Sequence, residues 1–506
     1  MSDRRVYRYG DQAVLVESCT AEDALGLAAA LRERPTVGQV ELVPGALSVL
    51  LILDQAADRA EVERDLLLRE GSGVDSTSGA TITVDVCYDG ADLAEVGDLT
   101  GLGADGVIAA HTGQTWTVAF GGFAPGFGYL VGDGRLQVPR RSAPRTRVPA
   151  GAVGLAGPYS GVYPGESPGG WQLIGRSAAP LWDLDRDPPA LLRPGVAVRF
   201  RAVDALPELV VSAVPPPPTP ERGLQVVRPG ILTTIQDAGR PGYAALGVTR
   251  SGAADRAAHA RANARVGNAC GSAVLETTLG GLRVRAVGDQ VLAVSGARAP
   301  LTVHRPDGTT ESVSGPVISL ASDEVLELGT PPRGLRSYLA VRGGVDVAAV
   351  LGSRSTDMLS GLGPAVLRSG QVLPVGVADG RVRSVPSPAR PAGTVELPVT
   401  PGPHLERLAP AAMSTLTGQE WQVTPQSNRV GLRVAGTAIG AGAPAELASA
   451  PLVPGAIQIP PSGLPVVFLR DHPTTGGYPV LAVLTDDAID LAAQLRPGQP
   501  VRFLAD

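Results

Sequence analysis

Two polar segments in the first half of the chain combine residue types that could bind a small anionic or carbonyl-bearing molecule. Residues 120–134 read FGGFAPGFGYLVGDG, and their glycines would let the backbone approach a ligand and point N–H groups at it. Residues 139–149 carry Arg140, Arg141 and Arg145 without any acid, and arginine binds carboxylate or phosphate through paired hydrogen bonds. The competing interpretations are aromatic-packed turns and a solvated charged face.

Three loops of the second half bring together hydroxyl, carboxylate and guanidinium groups. They are TTIQDAGRPGY (233–243), GSRSTD (352–357) and LRDHPTTGGYP (469–479). Joined in one pocket, they would supply an arginine for an anion, donors for an oxyanion and Asp471 to take a proton. Each loop alone could also be an ordinary capped turn. In the first half, His111 ends a predicted helix, where it is either a proton carrier or a helix C-terminal cation.

The chain contains no lysine, and this excludes several kinds of enzyme. A Walker A loop, a protein kinase and a pyridoxal enzyme each need a specific lysine, and so does a covalent biotin carrier. The three cysteines are widely spaced, so the sequence predicts neither a disulfide framework nor a zinc site. Covalent biotin is therefore not expected on this chain.

Length and charge favour a multidomain protein that acts on a small molecule. The 506 residues suggest about three or four domains. A net charge of −6 argues against nucleic acid or an anionic membrane as a partner. No apolar run approaches the roughly 20 residues that span a bilayer, and the first residues lack the apolar core of a signal peptide. We expect a cytoplasmic protein, with a homo-oligomer left open.

One phrase occurs twice in the chain and indicates a duplicated domain. Residues 191–200 read LLRPGVAVRF, and residues 494–503 read QLRPGQPVRF. Upstream, SPGGWQLIG (167–175) resembles TTGGYPVLA (474–482). Matching cues in the same order, about three hundred residues apart, are the sequence signature of a repeat. The two Gly-Gly pairs are then expected at equivalent places in two separate sites.

Local patterns favour a mainly β fold with minor α content, that is, an α+β protein. Alternating segments at 81–88 and 115–120 predict half-buried strands. Helices are expected at 21–33, capped by Thr20 with Asp23, at 57–69, and at 253–265 after Ser251. The domains are then predicted as 1–80, 81–213, a proline spacer at 214–220, 221–394 and 395–506.

Longer motifs in the first half resemble a known family. They are GDQAVLVE (10–17), HTGQTWTVAFGGFAPGFGYL (111–130), PRRSAPRTRVPAGAV (139–153) and SGVYPGESPGGWQLIGR (160–176). The resemblance is to the carboxyltransferase-domain subunit 1 family, whose members are also called allophanate hydrolase subunit 1 or the B subunit of 5-oxoprolinase. Gly128 departs from the proline usual in the GFPYL motif, and Tyr159-Ser160 depart from the usual Gln-Thr.

The second half resembles the partner family, the C subunit of 5-oxoprolinase. Its motifs are GILTTIQDAGRPGY (230–243), GVTRSGAADRAAHARANARVGN (247–268), LGSRSTD (351–357) and DHPTTGGY (471–478). A departure is GLGPAVLRSG (361–370), where the family usually carries a Gly-Gly and a Gly-Arg. The resemblance implies a fusion of the B and C subunits, with a cyclophilin-like β-barrel in each half.

The resemblance implies a component of an ATP-dependent 5-oxoprolinase, which opens 5-oxoproline to L-glutamate together with the separate A subunit of that enzyme. ATP, with Mg²⁺, is the expected cofactor. One alternative is the carboxyltransferase part of a urea-type, biotin-dependent carboxylase with partners in trans. Another is a non-catalytic regulator that binds a histidine kinase. Allophanate hydrolysis ranks low because an amidase Ser-Ser-Lys arrangement needs a lysine.

We infer the site residues from chemistry, at the positions that these motifs mark. The catalytic candidates are His111 and Asp471. The substrate-binding candidates of the first half are Phe123, Gly126, Phe127, Tyr129, Arg140, Arg141, Arg145, Gly169, Gly170 and Trp171. Those of the second half are Gln236, Asp237, Arg240, Ser353, Arg354, Ser355, Thr356, Thr475, Gly476, Gly477 and Tyr478. No metal-ligating set is predicted.

Overall fold

The N-terminal unit is a four-stranded antiparallel sheet backed by two helices. The computed structural model describes residues 4–54, 56–71, 81–207, 220–378, 380–386, 388, 393–440 and 447–505. The elements of this unit are β1 (Arg5–Arg8), β2 (Ala13–Glu17), α1 (Ala21–Glu33), β3 (Gln39–Pro44), β4 (Ser48–Leu53) and α2 (Arg59–Leu68). The strand order is β1–β2–β4–β3. Buried Val, Leu and Ala side chains of the sheet and both helices form one core.

The next unit is a seven-stranded barrel. Its elements are β5 (Ile82–Val86), α3 (Leu93–Thr100), α4 (Gly103–Thr112), β6 (Trp116–Gly121), β7 (Gly128–Val131), β8 (Arg145–Val148), β9 (Ala152–Ala156), β10 (Tyr159–Val162), β11 (Ser167–Gly169), β12 (Gln172–Arg176) and β13 (Ala197–Ala202). The strand order is β12–β9–β10–β7–β6–β13–β5. A bridge between Cys87 and Arg176 joins the two edges, and β8 pairs with β11 as a separate two-stranded ribbon.

The second half begins with two sheets that share one core. The elements are β14 (Gly223–Pro229), β15 (Leu232–Gln236), α5 (Arg256–Val266), β16 (Val274–Thr278), β17 (Leu282–Val287), β18 (Gln290–Gly296), β19 (Leu301–His304), β20 (Thr310–Val313), β21 (Ile318–Leu320), β22 (Val325–Leu328), β23 (Arg336–Val341) and β24 (Val372–Pro374). The sheets run β20–β19–β22–β17–β14–β24 and β15–β16–β23–β18–β21. Their inward side chains pack together as in a β-sandwich.

A closed barrel completes the chain. Its elements are β25 (Val395–Pro401), α6 (Ala412–Thr417), β26 (Trp421–Val423), β27 (Gly431–Ala435), β28 (Ala450–Pro451), β29 (Ala456–Gln458), β30 (Val466–Phe468), β31 (Thr475–Gly476), β32 (Val480–Leu484), α7 (Asp486–Ala492) and β33 (Pro500–Ala505). The order is β25–β32–β29–β30–β27–β26–β33. Among the residues that the structure describes, no helix has the length and apolar character to traverse a bilayer.

The two barrels have the same topology, which confirms the duplication. The repeated phrase ends on β13 in the first barrel and on β33 in the second. Each of these strands pairs in parallel with the first strand of its barrel and antiparallel with a second strand, β6 or β26. A buried tryptophan matches too: the indole N–H of Trp116 donates to the carbonyl of His111, and that of Trp421 donates to the carbonyl of Leu416. His111 therefore corresponds to a leucine in the second copy.

Local predictions hold at the first helices and fail at the start of α5. Thr20 caps α1 by accepting from the amide of Asp23, while the Asp23 carboxylate binds Arg4. Helix α5 begins at Arg256 with Asp255 as its cap, so Ser251 does not start it. The predicted boundary near 80 and the spacer at 214–220, apart from Pro220, lie outside the described residues. The division into domains therefore stays a prediction.

The two halves cross over one another. Apolar residues of the N-terminal sheet, including Leu15 and Leu50, share a core with Val453 and Val480 of the second barrel. The hydroxyl of Tyr9 also donates to the carbonyl of Pro451, at 3.3 Å. This crossing places the two barrels side by side, with the β8–β11 ribbon of the first barrel turned toward the two-stranded β28–β31 ribbon of the second.

Candidate functional site

The two-stranded ribbons that carry the Gly-Gly pairs, β8–β11 and β28–β31, meet in one cleft between the barrels. We call it the barrel–barrel cleft; it has a volume of about 280 Å³. The first half lines it with Phe123, Tyr129, Arg140, Tyr163, Pro168, Gly169, Gly170 and Trp171, and the second half lines it with Ser449, Pro473, Thr475, Gly476 and Gly477. Nine of the substrate-binding candidates thus lie around a single cavity. The expectation that the two Gly-Gly pairs mark two separate sites is wrong, because both line this one.

Glycine is needed at equivalent places in both ribbons. A Cβ on Gly169 would lie 2.5 Å from the hydroxyl oxygen of Tyr163. A Cβ on Gly476 would lie 2.9 Å from the side-chain nitrogen of Gln458. Any larger residue would push these neighbours aside, so the two glycines keep the cleft walls close to the polar groups behind them.

Two buried hydroxyl groups of the cleft have no hydrogen-bond partner within the described residues. They are the phenolic oxygen of Tyr163 and Oγ1 of Thr475. Tyr163 is 1% exposed and Thr475 is 4% exposed. Burial raises the pKa of Tyr163, so its hydroxyl keeps its proton and can donate it. Leaving a buried polar group unpaired costs about 1–3 kcal/mol, which a ligand could recover.

An aromatic cluster supports the first-half wall. The ring of Phe127 lies edge-on to Tyr129 and Trp171, with centroids 5.3 Å and 5.4 Å away. Phe127 is buried beneath the cleft rather than lining it. Gly126, with φ of +78°, donates its amide to the carbonyl of Leu246 in the second half. Phe127 and Gly126 therefore shape the site from behind, which corrects their predicted role as direct contacts.

Two of the predicted anion-binding arginines already bind an anion within the chain. Arg141 and Arg145 each donate to Asp92, at 2.8 Å and 2.7 Å. Burial alone would raise the pKa of Asp92, but hydrogen bonds from Arg145 and the amide of Leu173 lower it. This internal pairing contradicts the prediction that Arg141 and Arg145 bind substrate. Only Arg140 of the three lines the cleft.

His111 lies inside the first barrel, away from the cleft. Its side chain is fully buried and stacks on Phe200, with ring centroids 4.2 Å apart. Its two ring nitrogens are bound to Tyr88 and Ser160, at 2.7 Å and 2.8 Å. Burial lowers the pKa of His111 to about 3, so the ring is neutral. A histidine with both nitrogens occupied cannot reach a substrate, so the structure places His111 in the core.

The predicted loops of the second half do come together, but they satisfy one another. Asp237 accepts from Ser353 Oγ and from the amide of Arg354, each at 2.6 Å, and also from Ser355. Gln236 donates to the carbonyl of Thr356. The acidic, hydroxyl and amide side chains of this set are buried, so they hold the loops in place rather than facing a ligand.

Arg240 and Tyr478 complete the second-half predictions. Arg240 is 1% exposed and donates to the carbonyls of Ser355 and Val350. Tyr478 is exposed, and its carbonyl accepts from Gln458. The sequence thus predicted correctly that distant loops meet, but the group that faces a cavity is Thr475 to Gly477.

Asp471 is at the centre of a buried ionic network. Its carboxylate accepts from Nε and Nη2 of Arg429, at 2.9 Å and 3.0 Å, and from Ser251 Oγ at 2.7 Å. It is fully buried, and Arg429 also binds Glu276. Burial, and then the charge on Asp471, raise the pKa of Asp357. The predicted proton carrier is therefore a structural anion with no exposed surface.

Several of these residues carry no signal in the amino-acid pattern. Arg429 lies in a segment without a diagnostic spacing, and Asp357 ends the GSRSTD loop but is not among the predicted site residues. The partners of both residues are distant in sequence. Tyr163 lies within the motif at 160–176 but is not among the predicted site residues. That its hydroxyl is buried without a partner can be seen only in the folded structure.

Comparison with known proteins identifies the family. The family model for the carboxyltransferase domain, subdomains C and D, matches residues 4–192, and the model for subdomains A and B matches residues 246–505. The C subunit of 5-oxoprolinase from Escherichia coli (strain K12) is 34% identical over 284 residues, 56% of this chain and 90% of that protein. The B subunit of 5-oxoprolinase from Escherichia coli O157:H7 is 40% identical over 212 residues, 40% of this chain and 96% of that protein.

A solved structure matches the whole chain. It is that of TTHA0988, with a TM-score of 0.83 and 32% identity, covering 100% of both chains. A urea amidolyase of Lachancea kluyveri is 30% identical over 309 residues, which are 55% of this chain but 17% of that protein. The chain therefore belongs to the carboxyltransferase-domain family, and it joins a half similar to the B subunit of 5-oxoprolinase to a half similar to the C subunit of the same enzyme.

Proposed function

We propose that this chain is the B/C component of an ATP-dependent 5-oxoprolinase, which opens 5-oxoproline to L-glutamate together with a separate A subunit. The observation that carries the proposal is the barrel–barrel cleft, which needs walls from both halves. The relatives that match the two halves are named as the B and C subunits of 5-oxoprolinase. A cleft that only the joined halves complete is what an activity shared by two such subunits requires.

The groups around the cleft suit a small cyclic amide with a carboxylate. The unpaired hydroxyls of Tyr163 and Thr475 would donate to carbonyl or carboxylate oxygens. Arg140 would offer its guanidinium to the carboxylate at the cleft edge. The aromatic rings of Tyr129 and Trp171 would cover the apolar ring carbons. Donors fixed in place before the reaction stabilise an oxyanion as it develops.

In this proposal ATP supplies activation. Transfer of the γ-phosphoryl group of ATP to the amide oxygen, with release of ADP, would make the ring carbon electrophilic. Water would then add to that carbon, and the C–N bond would break to leave an amine and an acyl phosphate. A second water would hydrolyse the acyl phosphate to glutamate and inorganic phosphate. Among the described residues, no group of three or more His, Cys, Asp or Glu side chains could hold a metal ion. We therefore assign no step to Mg²⁺ on this chain.

A second candidate function is transfer of a carboxyl group. The family is described as a carboxyltransferase domain, and a urea amidolyase is among the relatives. Because this chain has no lysine, biotin would have to arrive on a partner protein. The cleft would then hold the carboxyl acceptor.

Reconstitution separates the two functions. The purified chain, the separate A subunit, and the mixture of the two are each incubated with 5-oxoproline and ATP, and glutamate is measured. We expect glutamate only from the mixture. Glutamate from the chain alone, or none from a mixture of two folded proteins, contradicts the proposal. Carboxylation of urea in the presence of a biotin carboxylase and its carrier would favour the second candidate.

A further inference from the structure

Residues 121–127, which we call the glycine loop, lie with their backbone against the backbone of the second half. A Cβ on Gly121 would lie 2.1 Å from the carbonyl oxygen of Ala245. From the other side, a Cβ on Gly247 would lie 2.1 Å from the carbonyl oxygen of Ala124. An added side chain would collide at either place, so this contact between the halves needs glycine at both positions.

Two hydrogen bonds tie the glycine loop to the second half. The amide of Gly126 donates to the carbonyl of Leu246, at 3.0 Å. The hydroxyl of Thr474 donates to the carbonyl of Gly122. Thr474 is buried, and its bond is the one of the two that a side chain makes. It can therefore be removed by substitution without changing the backbone of either half.

The Thr474 bond joins residues that stand next to both walls of the barrel–barrel cleft. On the second half, Thr475 follows Thr474 and lines the cleft, while the carbonyl of Thr474 accepts from the amide of Leu452 at 2.9 Å. On the first half, Phe123 follows Gly122 and also lines the cleft. One hydrogen bond thus connects the two walls through their immediate neighbours.

Gly122 is also in direct contact with the aromatic wall of the cleft. Its amide donates to the carbonyl of Phe127 at 2.7 Å, and a Cβ on it would lie 2.4 Å from the Phe127 ring. Phe127 lies edge-on to Trp171, with ring centroids 5.4 Å apart, and Trp171 lines the cleft. Because the interior is closely packed, a shift of Gly122 would be passed to Trp171 through Phe127.

We propose that Thr474 is a positioning residue, which aligns the aromatic wall of the first half with Thr475 on the second. Thr474 does not itself line the cleft, and it acts through Gly122 and Phe127. Groups held on two walls must be in register, since a misplacement of about 1 Å can lower a rate roughly a hundredfold. The effect on turnover rests on the proposed function, whereas the alignment itself does not.

Fluorine NMR of the full chain labelled with 5-fluorotryptophan measures the alignment without any turnover. The chain has four tryptophans, and the Trp171 signal is assigned by its loss in Trp171→Phe. In Thr474→Val we expect this signal to shift by more than its line width. The signals of Trp116 and Trp421, in the cores of the two barrels, should stay in place and show that the fold is intact. Thr474→Ser keeps the hydroxyl, so it should give the wild-type spectrum.

Two further variants complete this measurement. Thr233→Val removes another buried threonine hydroxyl, which donates to the carbonyl of Pro229 within the second half at 2.6 Å, so the Trp171 signal should not move. Gly121→Ala displaces the glycine loop by collision and should move that signal. An unchanged Trp171 signal in a folded Thr474→Val protein overturns the proposal. If Thr474→Val does not fold, an unchanged signal in Gly121→Ala does so instead.

Turnover by the chain mixed with the A subunit measures the consequence for catalysis. In Thr474→Val we expect kcat for glutamate release to fall about tenfold or more with a smaller change in KM, because the groups that hold the substrate remain but are misaligned. Thr474→Ser should recover most of the loss. A wild-type kcat in a Thr474→Val protein whose Trp171 signal has moved overturns the positioning role. If the wild-type mixture releases no glutamate, the proposed function fails, and the NMR measurement still decides whether Thr474 aligns the walls.

Discussion

Single residues in this chain divide into those that hold the fold and those that face a cavity, and Asp471 belongs to the first group. Its carboxylate is fully buried and paired with Arg429. Asp471→Asn would leave that arginine without its full counter-charge, and breaking a buried pair costs about 3–5 kcal/mol. We therefore expect a lower free energy of unfolding, measured by urea denaturation. If the variant does not fold, it will lose activity even though Asp471 has no catalytic role.

The control for Asp471→Asn is Asp89→Asn. Asp89 pairs with Arg176 on the surface, where both side chains are about half exposed. Such pairs contribute roughly 0–1 kcal/mol, so the urea midpoint should barely move. If Asp471→Asn is as stable as this control, the ionic network does not stabilise the fold as described.

His111 gives the fold a specific pH dependence. Its pKa falls from 6.5 in the unfolded chain to about 3 in the folded one because of burial. The free energy of unfolding is therefore at its full value above pH 6.5. It declines as the pH falls toward 3, by about 1.4 kcal/mol per pH unit, because the unfolded chain binds a proton that the folded chain does not. The double variant His111→Leu with Ser160→Ala places a leucine where the second barrel has Leu416. Between pH 6.5 and 4, its urea midpoint should change less with pH than that of the wild type. Equal slopes for the two proteins would contradict a buried neutral histidine.

At the scale of elements, the β8–β11 and β28–β31 ribbons set the width of the barrel–barrel cleft. Gly169→Ala would place a methyl group against the Tyr163 hydroxyl, and Gly476→Ala would place one against Gln458. We expect each to lower turnover of the reconstituted enzyme by about tenfold or more, with a small change in thermal midpoint. Gly165→Ala is the matched control, because its Cβ would meet nothing within 4 Å. If all three variants behave alike, the two ribbons do not shape the site.

The elements also show how far the sequence could predict this structure. The repeated RPG phrase marks the same strand in both barrels, so the duplication was readable from letters alone. Strand alternation placed β5 and β6 within a residue or two of their observed bounds. These features are local, and local patterns are what a sequence records directly.

Features that depend on pairing between distant segments were not readable. Arg141 and Arg145 looked like a free anion site because Asp92, about fifty residues earlier, carries no signal that it joins them. Helix α5 starts after Asp255, whose side chain accepts from the amide of Ala258, whereas Ser251 donates to Asp471, 220 residues away. The one shared cleft likewise follows from the crossing of the halves, which no periodicity encodes.

At the scale of the whole molecule, the crossing predicts that the halves bind one another. Leu15 and Leu50 of the first half share an apolar core with Val453 and Val480 of the second. Chains 1–207 and 220–506, produced separately and mixed, should co-elute as a 1:1 complex, since separation would expose this core to water. Weakening the core with Leu50→Asp should prevent co-elution. Halves that elute apart at micromolar concentration would contradict the packing.

In the function we propose, 5-oxoproline is opened in the barrel–barrel cleft when the chain is assembled with a separate A subunit. The most direct measurement is kcat/KM for glutamate release by that mixture, for wild type, Thr475→Val and Thr424→Val. Both threonines have a buried hydroxyl without a partner in the described chain, but only Thr475 lines the cleft. We predict a loss of about tenfold or more for Thr475→Val and no change for Thr424→Val. Equal kcat/KM values for Thr475→Val and wild type would contradict the account.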